Sequence, residues 1–257
     1  MIVLGRRARH RRALATPFPP AWRDLLDRRL VHWRLLDETE RRRLEDLIRV
    51  FLVDKKWESS QGLELTDEIR VLISAMACLL ILGLDDDAYR GVTWIEVQPT
   101  TMVSRGPRLT AEGVVSDGVL PILGETSFTG PVFIAWDAAQ EGARHPERGH
   151  NVVYHEFAHK LDMDDGTVDG TPVLDPADRA RWIEVCTAVY QEVRDGRAGE
   201  LLDPYAGVDP GEFFAVATEV FFDQPDELEA RHADLYDVLR RFYRQDPAAR
   251  LRRASGG

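Results

Sequence analysis

Residues 151–162 read NVVYHEFAHKLD, and this stretch carries the clearest structural signal in the chain. Its two histidines, His155 and His159, are four residues apart, a spacing that places both on one face of a helix. Apolar residues lie between and around them, which is typical of a buried helix. The pattern therefore predicts a helix over 151–162 whose histidines point into the interior or into a cleft.

The H-E-x-x-H spacing of this stretch also predicts a metal site. Two imidazoles one helical turn apart can each offer a nitrogen to the same Zn2+ ion, at about 2.0–2.1 Å. Glu156 would then lie beside the open coordination position, where it can take a proton from a water molecule. The competing interpretation is two unrelated histidines on an amphipathic surface helix. The apolar flanking residues favour the zinc site.

The two histidines do not complete a catalytic zinc site, which usually has three protein ligands and a water molecule. Glu212 is a candidate third ligand because it lies near the start of a second predicted helix, in the run DPGEFFA at 209–215. The same run matches a capping box, in which Asp209 caps the helix and Glu212 bonds back to the Asp209 amide. Spacing alone does not separate the ligand from the cap.

Two further carboxylates are placed where they could act on the same histidines. Glu219 lies seven residues after Glu212 on the same predicted helix face, so it could be a competing ligand or a partner of a ligand. Asp162 lies about one turn after His159, where it could orient that histidine or simply end the helix. The residues alone leave these alternatives open.

The charge of the chain limits its possible partners, and its distribution distinguishes a basic N-terminal segment from an acidic remainder. Its 257 residues include 33 Lys and Arg against 44 Asp and Glu, yet five arginines fall within the first twelve positions. The rest is therefore strongly acidic and would repel duplex nucleic acid, so we expect no direct nucleic-acid partner. We interpret residues 1–16 as a basic flexible tail, 17–250 as a single domain and 251–257 as a flexible C-terminus.

Cysteine content and hydropathy narrow the class of protein further. Only Cys78 and Cys186 are present, far apart, so neither a disulfide framework nor a thiolate metal site is indicated. The longest apolar stretch, 71–82, is shorter than the roughly 20 residues that a membrane span needs. No apolar run follows the N-terminal arginines as it would in a signal peptide. We therefore expect a soluble, cytoplasmic protein with no membrane partner.

The periodicity of apolar residues changes twice along the chain. Helical spacing in the first half gives way to short strand-like runs and then returns after Gly149. This order predicts an α+β domain with a small sheet. The predicted strands are Val92–Val97, Val114–Val119 and Val132–Trp136, and the predicted helices are 21–30, 39–52, 66–82, 151–162, 176–195, 210–222 and 228–243.

Two motifs together resemble a known family. The run HEFAHKLDM at 155–163, with Tyr205 and the run DPGEFFAV at 209–216, is similar to the Mlc titration factor A family of bacterial zinc peptidases. The resemblance covers most of the chain. That family is in turn similar to the catalytic domain of anthrax lethal factor, so the resemblance implies a zincin-like fold of the gluzincin type, with a small sheet, an active-site helix and several surrounding helices.

The resemblance also implies roles for individual residues. His155, His159 and Glu212 would hold one zinc ion per chain, and Glu156 would be the general base. Tyr205 would stabilise the oxyanion, although from the residues alone it reads more simply as a loop aromatic packed on the core.

The implied activity is zinc-dependent, aminopeptidase-like hydrolysis of peptides. The alternative that the resemblance implies is a regulatory protein that captures a transcriptional repressor of the Mlc type, which controls sugar phosphotransferase genes. In that case the partner would be the repressor protein rather than a peptide substrate.

Overall fold

The computed structural model of the chain describes residues 2–100, 108–109, 115–116 and 130–256. Their helices pack around a small sheet. The helices are α1 (Ile2–Ala15), α2 (Pro20–Arg29), α3 (Val31–Leu35), α4 (Glu38–Asp54), α5 (Asp67–Leu80), α6 (Trp136–Arg144), α7 (Val152–Asp162), α8 (Pro176–Arg194), α9 (Pro210–Asp223), α10 (Pro225–Arg231), α11 (Ala233–Tyr243) and α12 (Pro247–Ser255). The strands are β1 (Lys56–Ser59), β2 (Trp94–Gln98), β3 (Arg108–Leu109), β4 (Val115–Ser116) and β5 (Val132–Ala135).

Three of the strands form a parallel sheet in the order β1-β2-β5. Ile95 at its centre pairs with Trp57 on one side and with Val132 on the other. The sequence predicts β2 and β5 but not β1. The KWES run of β1 is too short and too polar to show the apolar alternation of a strand. Of the predicted strand Val114–Val119, only β4 is described, paired antiparallel with β3. The rest of that prediction lies outside the described residues.

The mostly helical architecture with a small sheet is consistent with the predicted α+β class. Several helices differ from the prediction. The single helix expected over 228–243 is divided into α10 and α11 at His232, whose backbone leaves helical geometry. The sequence predicts neither α3 nor α6, although α6 follows β5 directly. Of the helices in the described residues, none has the length and apolar character to span a membrane.

Both chain ends are helical where the sequence analysis expects flexible segments. Residues 2–15 form α1, which lies along α4 and is fixed to it by Asp54, whose carboxylate accepts from Arg6 Nε at 2.9 Å. Arg49 on α4 donates to the Leu14 carbonyl at the other end of α1. Because polar contacts rather than an apolar face hold α1, hydrophobic periodicity does not reveal it. At the other end, α12 continues to Ser255, with Arg250 bonded to Glu40 at 2.9 Å.

The helix α7 lies at the centre of the fold and packs on both α5 and α9. Its aromatic residues anchor it, since Phe157 packs against Phe51 and Tyr89 at ring distances of 5.7 and 4.9 Å. On the other side Tyr154 packs against Phe222 of α9 at 5.5 Å. The rotation of α7 is therefore set by packing, which directs its polar residues toward the start of α9.

Candidate metal centre

The helix α7 begins at Asn151, whose side chain accepts from the backbone amides of Val153 and Tyr154, both at 3.2 Å. An asparagine cap of this kind satisfies amides that have no partner within the helix. One turn further on, His155 and His159 lie on the same face, and both are buried. The predicted helix and the shared face of its two histidines are present in the structure.

The third member of the cluster comes from the start of α9. Asp209 caps this helix by accepting from the Glu212 amide at 2.9 Å, and Pro210 occupies its first position. The Glu212 side chain turns toward α7, and its Oε2 atom lies 3.0 Å from His155 Nε2 and 3.5 Å from His159 Nε2. The helix cap and the contact with the histidines therefore occur together. The backbone amide of Glu212 bonds to Asp209, and its side chain approaches the histidines.

The distances within this cluster suit a shared metal ion. The two histidine Nε2 atoms are 3.2 Å apart, which closes a triangle with Glu212 Oε2. Ligand atoms bound tetrahedrally at 2.0–2.1 Å would be about 3.3 Å apart. Glu212 Oε2 is buried and makes no well-oriented hydrogen bond to the described residues. His155, His159 and Glu212 are the group that the described residues bring close enough together to hold a metal ion.

The charges of this cluster support one another. Burial opposes ionisation of Glu212, but the two neighbouring imidazoles outweigh it and hold the pKa of that carboxyl well below its usual range. Burial likewise opposes the charged form of His155, and the carboxylates of Glu212 and Glu219 outweigh it and raise the pKa of that imidazole. The site therefore combines a carboxylate and imidazoles, ligand types that divalent transition metals accept.

Glu156 lies beside this cluster but has a different environment. It is almost completely buried, and its Oε1 atom has no hydrogen-bond partner among the described residues. Burial raises the pKa of Glu156 above its ordinary value, and the negative charge of Glu212 adds to the rise. A buried carboxylate with a free oxygen and a raised pKa is suited to exchanging a proton near neutral pH.

Tyr205 reaches the same cluster from a short 3-10 helix, Pro204–Gly207. Asp203 caps this helix by accepting from the Tyr205 amide at 2.8 Å. The Tyr205 ring lies 6.2 Å from the ring of His155. Burial, followed by the nearby Glu212 carboxylate, raises the pKa of the Tyr205 hydroxyl, so it remains a proton donor at neutral pH. Tyr205 also packs against the hydrophobic core, as the loop-aromatic interpretation expects, so its position is compatible with both interpretations.

The two alternative carboxylates lie elsewhere around the cluster. Glu219 contacts the other ring nitrogen of His155, with its Oε1 atom 2.8 Å from Nδ1. Asp162 accepts from the Gly170 amide at 2.9 Å, and burial raises the pKa of Asp162 to about 6. Neither belongs to the group of three residues, His155, His159 and Glu212, whose ligand atoms lie close together.

Sequence reasoning missed one residue at the rim of the site. Asp203 holds the short helix that carries Tyr205, and it was not singled out. The signal was available, because Asp203 is followed by Pro204 just as the helix cap Asp209 is followed by Pro210. An aspartate followed by proline is typical of a helix start.

The site combines a helix with two histidines, a carboxylate from a second helix, and a buried glutamate whose Oε1 atom has no hydrogen-bond partner among the described residues. These features are together typical of a metallopeptidase centre. The comparisons with known proteins agree with this class. The family model of the glucose-regulated metallo-peptidase M90 matches residues 5–244, nearly the whole chain. The chain belongs to this family.

Individual relatives extend along almost the full length as well. The chain is 35% identical to an uncharacterized protein of Synechocystis sp. over 244 residues, which are 93% of this chain and 89% of the relative. It is 33% identical to Mlc titration factor A of Serratia proteamaculans over 224 residues, 85% of each chain. It is also 33% identical to Mlc titration factor A of Pectobacterium atrosepticum over 238 residues, 87% of this chain and 89% of the relative. The resemblance that the motifs indicate is therefore confirmed.

Proposed function

We propose that this protein is a zinc-dependent peptidase with aminopeptidase-like activity. One observation carries the proposal: His155 Nε2, His159 Nε2 and Glu212 Oε2 lie 3.0–3.5 Å from one another. Glu156, with a free oxygen, lies beside them. Two histidines and a glutamate match the ligand set of known catalytic zinc sites, in which the fourth position is left for water or substrate.

The chemistry follows from the surroundings of each residue. When bound, zinc would supply Lewis-acid chemistry, lowering the pKa of a water molecule and polarising the substrate carbonyl. Glu156 accepts a proton from the attacking water as the water oxygen bonds to the carbonyl carbon, and it later donates that proton to the amine nitrogen as the C–N bond breaks. Its raised pKa favours this double role. Tyr205 donates a hydrogen bond to the carbonyl oxygen as negative charge develops there. Burial of the cluster strengthens each of these interactions.

The proposal includes a zincin-like fold of the gluzincin type and one peptidase domain over residues 17–250. The buried helix α7 against a small parallel sheet supports the first. The family match over residues 5–244 supports a single functional unit. We propose that the protein acts on peptides in the cytoplasm. Its acidic excess disfavours nucleic-acid partners.

The variant Glu156→Gln tests the general base. It keeps the size of the side chain and all three metal-binding residues, so we expect unchanged zinc content and a loss of turnover of roughly 100- to 10,000-fold. Zinc analysis and peptide hydrolysis, with and without a chelator, measure the two effects. Glu45→Gln is the matched control, since Glu45 is also a buried glutamate but lies on α4 and pairs with Arg23 of α2. Undiminished turnover by zinc-loaded Glu156→Gln would contradict the assignment of Glu156 as the general base.

The type of peptidase is tested with a panel of amino-acid anilides and peptides. Aminopeptidase-like activity requires a free amino end, so N-acetylated substrates should be cleaved far more slowly than their free counterparts. Equal cleavage of blocked and free substrates would leave a zinc peptidase but contradict the aminopeptidase assignment.

A second function is supported by the names of two relatives, both Mlc titration factor A. In this alternative the protein captures a transcriptional repressor of the Mlc type, and the metal centre is secondary. Co-purification of the host's repressor with Glu156→Gln, at the affinity shown by the parent, would support capture independent of catalysis. Absence of any complex with either protein would count against it.

A further inference from the structure

The His155 ring has two nitrogens. Nε2 faces Glu212 and His159, and Nδ1 contacts the carboxylate of Glu219. We propose that Glu219 is a positioning residue that keeps the His155 ring turned so that Nε2 faces Glu212 and His159. This inference rests on the proposed function, in which Nε2 of His155 is a zinc ligand. It assigns Glu219 a role other than that of a competing ligand.

The contacts of Glu219 use both oxygens of its carboxylate. Oε1 lies 2.8 Å from His155 Nδ1, and Oε2 accepts from the Asn151 backbone amide at 2.5 Å. The residue is buried in the middle of α9. Since an ionised carboxylate can only accept hydrogen bonds, the His155 contact requires a proton on Nδ1. A neutral imidazole with its proton on Nδ1 presents the lone pair of Nε2, which is the atom that faces the cluster.

The two carboxylates of α9 hold the same ring from opposite sides. Glu212 lies at the start of the helix and approaches Nε2, and Glu219 lies seven residues later and approaches Nδ1. Seven residues correspond to two turns, so both side chains leave the same face of α9. The His155 ring is therefore oriented by α9, although it belongs to α7.

The Asn151 contact makes this arrangement more rigid. Asn151 caps α7 through its side chain while its own amide donates to Glu219. One carboxylate thus connects the beginning of α7 with a histidine one turn further on. A movement of α7 relative to α9 would break both bonds, so Glu219 also fixes the distance between the helices that carry the metal-binding residues.

An amide cannot replace this carboxylate, and that makes the role testable. Both partners of Glu219 are donors, and the side chain of glutamine has only one acceptor oxygen. In Glu219→Gln, the oxygen can serve Nδ1 of His155, which leaves an NH2 group facing the Asn151 amide. In the opposite orientation the NH2 group faces Nδ1 and favours a proton on Nε2, the atom needed for the metal.

Zinc affinity, measured by competition with a chromophoric chelator, is the first readout. Loss of the hydrogen-bonding partner of a metal-bound histidine typically weakens metal binding roughly 10- to 100-fold, and we expect this range for Glu219→Gln. Asp223→Asn is the matched control, because Asp223 is a buried carboxylate one turn later on α9 whose ion-pair partner is His32. We expect the control to bind zinc as the parent does. An affinity for Glu219→Gln within twofold of the parent would overturn the proposal.

The Nδ1 proton of His155 is the second readout. It can be measured in the parent protein, so it does not depend on whether a variant folds. In the parent, NMR should show this proton shifted downfield and protected from exchange, both with and without zinc, and Glu219→Gln should lose the protection. A purely structural Glu219 would lower thermal stability without moving this signal. Rapid exchange of the Nδ1 proton in the parent overturns the proposal.

The two readouts separate this proposal from the proposed function. If the parent binds zinc but cleaves no peptide, the peptidase assignment fails and the zinc affinities still decide the role of Glu219. If the parent binds no zinc, the proposed function fails, and the proton signal alone decides whether Glu219 holds the ring.

Discussion

Two helices of this protein begin with the same pattern, an aspartate followed three residues later by a glutamate. At the start of α4, Asp37 accepts from the Glu40 amide at 2.9 Å, and Glu40 accepts in return from the Asp37 amide at 3.0 Å. At the start of α9, Asp209 accepts from the Glu212 amide at 2.9 Å. The return bond is not among the described contacts of Glu212, which faces the histidines of α7.

The difference lies in the partners that the fold brings near each glutamate. Glu40 is partly buried, and its other oxygen accepts from Arg250, so one oxygen stays with the capping bond while the second is paired separately. Glu212 lies against buried imidazoles and the Tyr205 hydroxyl, which compete with the Asp209 amide for its oxygens. The same local pattern therefore forms a complete capping box at α4, whereas at α9 the aspartate caps the helix and the glutamate side chain joins the candidate metal centre.

The largest effect should come from removing the two glutamates. Glu212→Ala takes away a proposed ligand, so zinc affinity should fall by more than the roughly 100-fold that loss of a ligand's partner can cost. Glu40→Ala removes the cap and the contact with Arg250, so it should lower the melting temperature and leave zinc binding unchanged. Metal titration and thermal unfolding of both variants check this. If Glu212→Ala bound zinc as tightly as the parent, Asp162 or Glu219 would become the better ligand.

A smaller effect should come from the hydroxyl that draws Glu212 away from its cap. Tyr205→Phe keeps the ring near His155 but removes the donor proposed for the oxyanion, so kcat should fall by roughly 100-fold. Zinc affinity should stay close to that of the parent, because no metal-binding residue is lost. Steady-state kinetics with a zinc titration separate the two. An unchanged kcat would return Tyr205 to the role of a packing residue.

The smallest effect should come from the two caps themselves. Asp209→Ala removes the helix cap of α9 and should cost about 1 kcal/mol of stability. It should also weaken zinc binding a few-fold, because Glu212 lies in the turn that the cap holds. Asp37→Ala should lower stability without changing zinc affinity. Equal zinc affinities for the parent and Asp209→Ala would show that the cap and the metal centre are independent.

The parts of the fold that the sequence predicts are those with strong local signals. The helix α7 and the start of α9 are predicted nearly to the residue, because capping residues and apolar periodicity both mark them. The strand β1 and the helix α1 were not predicted, because a short mixed run and a helix held by Asp54 have no apolar pattern. The division at His232 was missed because both helices share one periodicity.

The candidate site shows the same division between local and distant contributions. The shared face of His155 and His159 follows from the helical repeat, so the sequence by itself determined that two imidazoles would lie together. The partners of those imidazoles come from residues distant in sequence, and spacing left Glu212 undecided between cap and ligand. Only the packing of α7 against α9 placed Glu212 at Nε2 and Glu219 at Nδ1 of the same ring. A repeat within one helix depends on backbone geometry alone, whereas contacts between helices depend on the packing of the whole core.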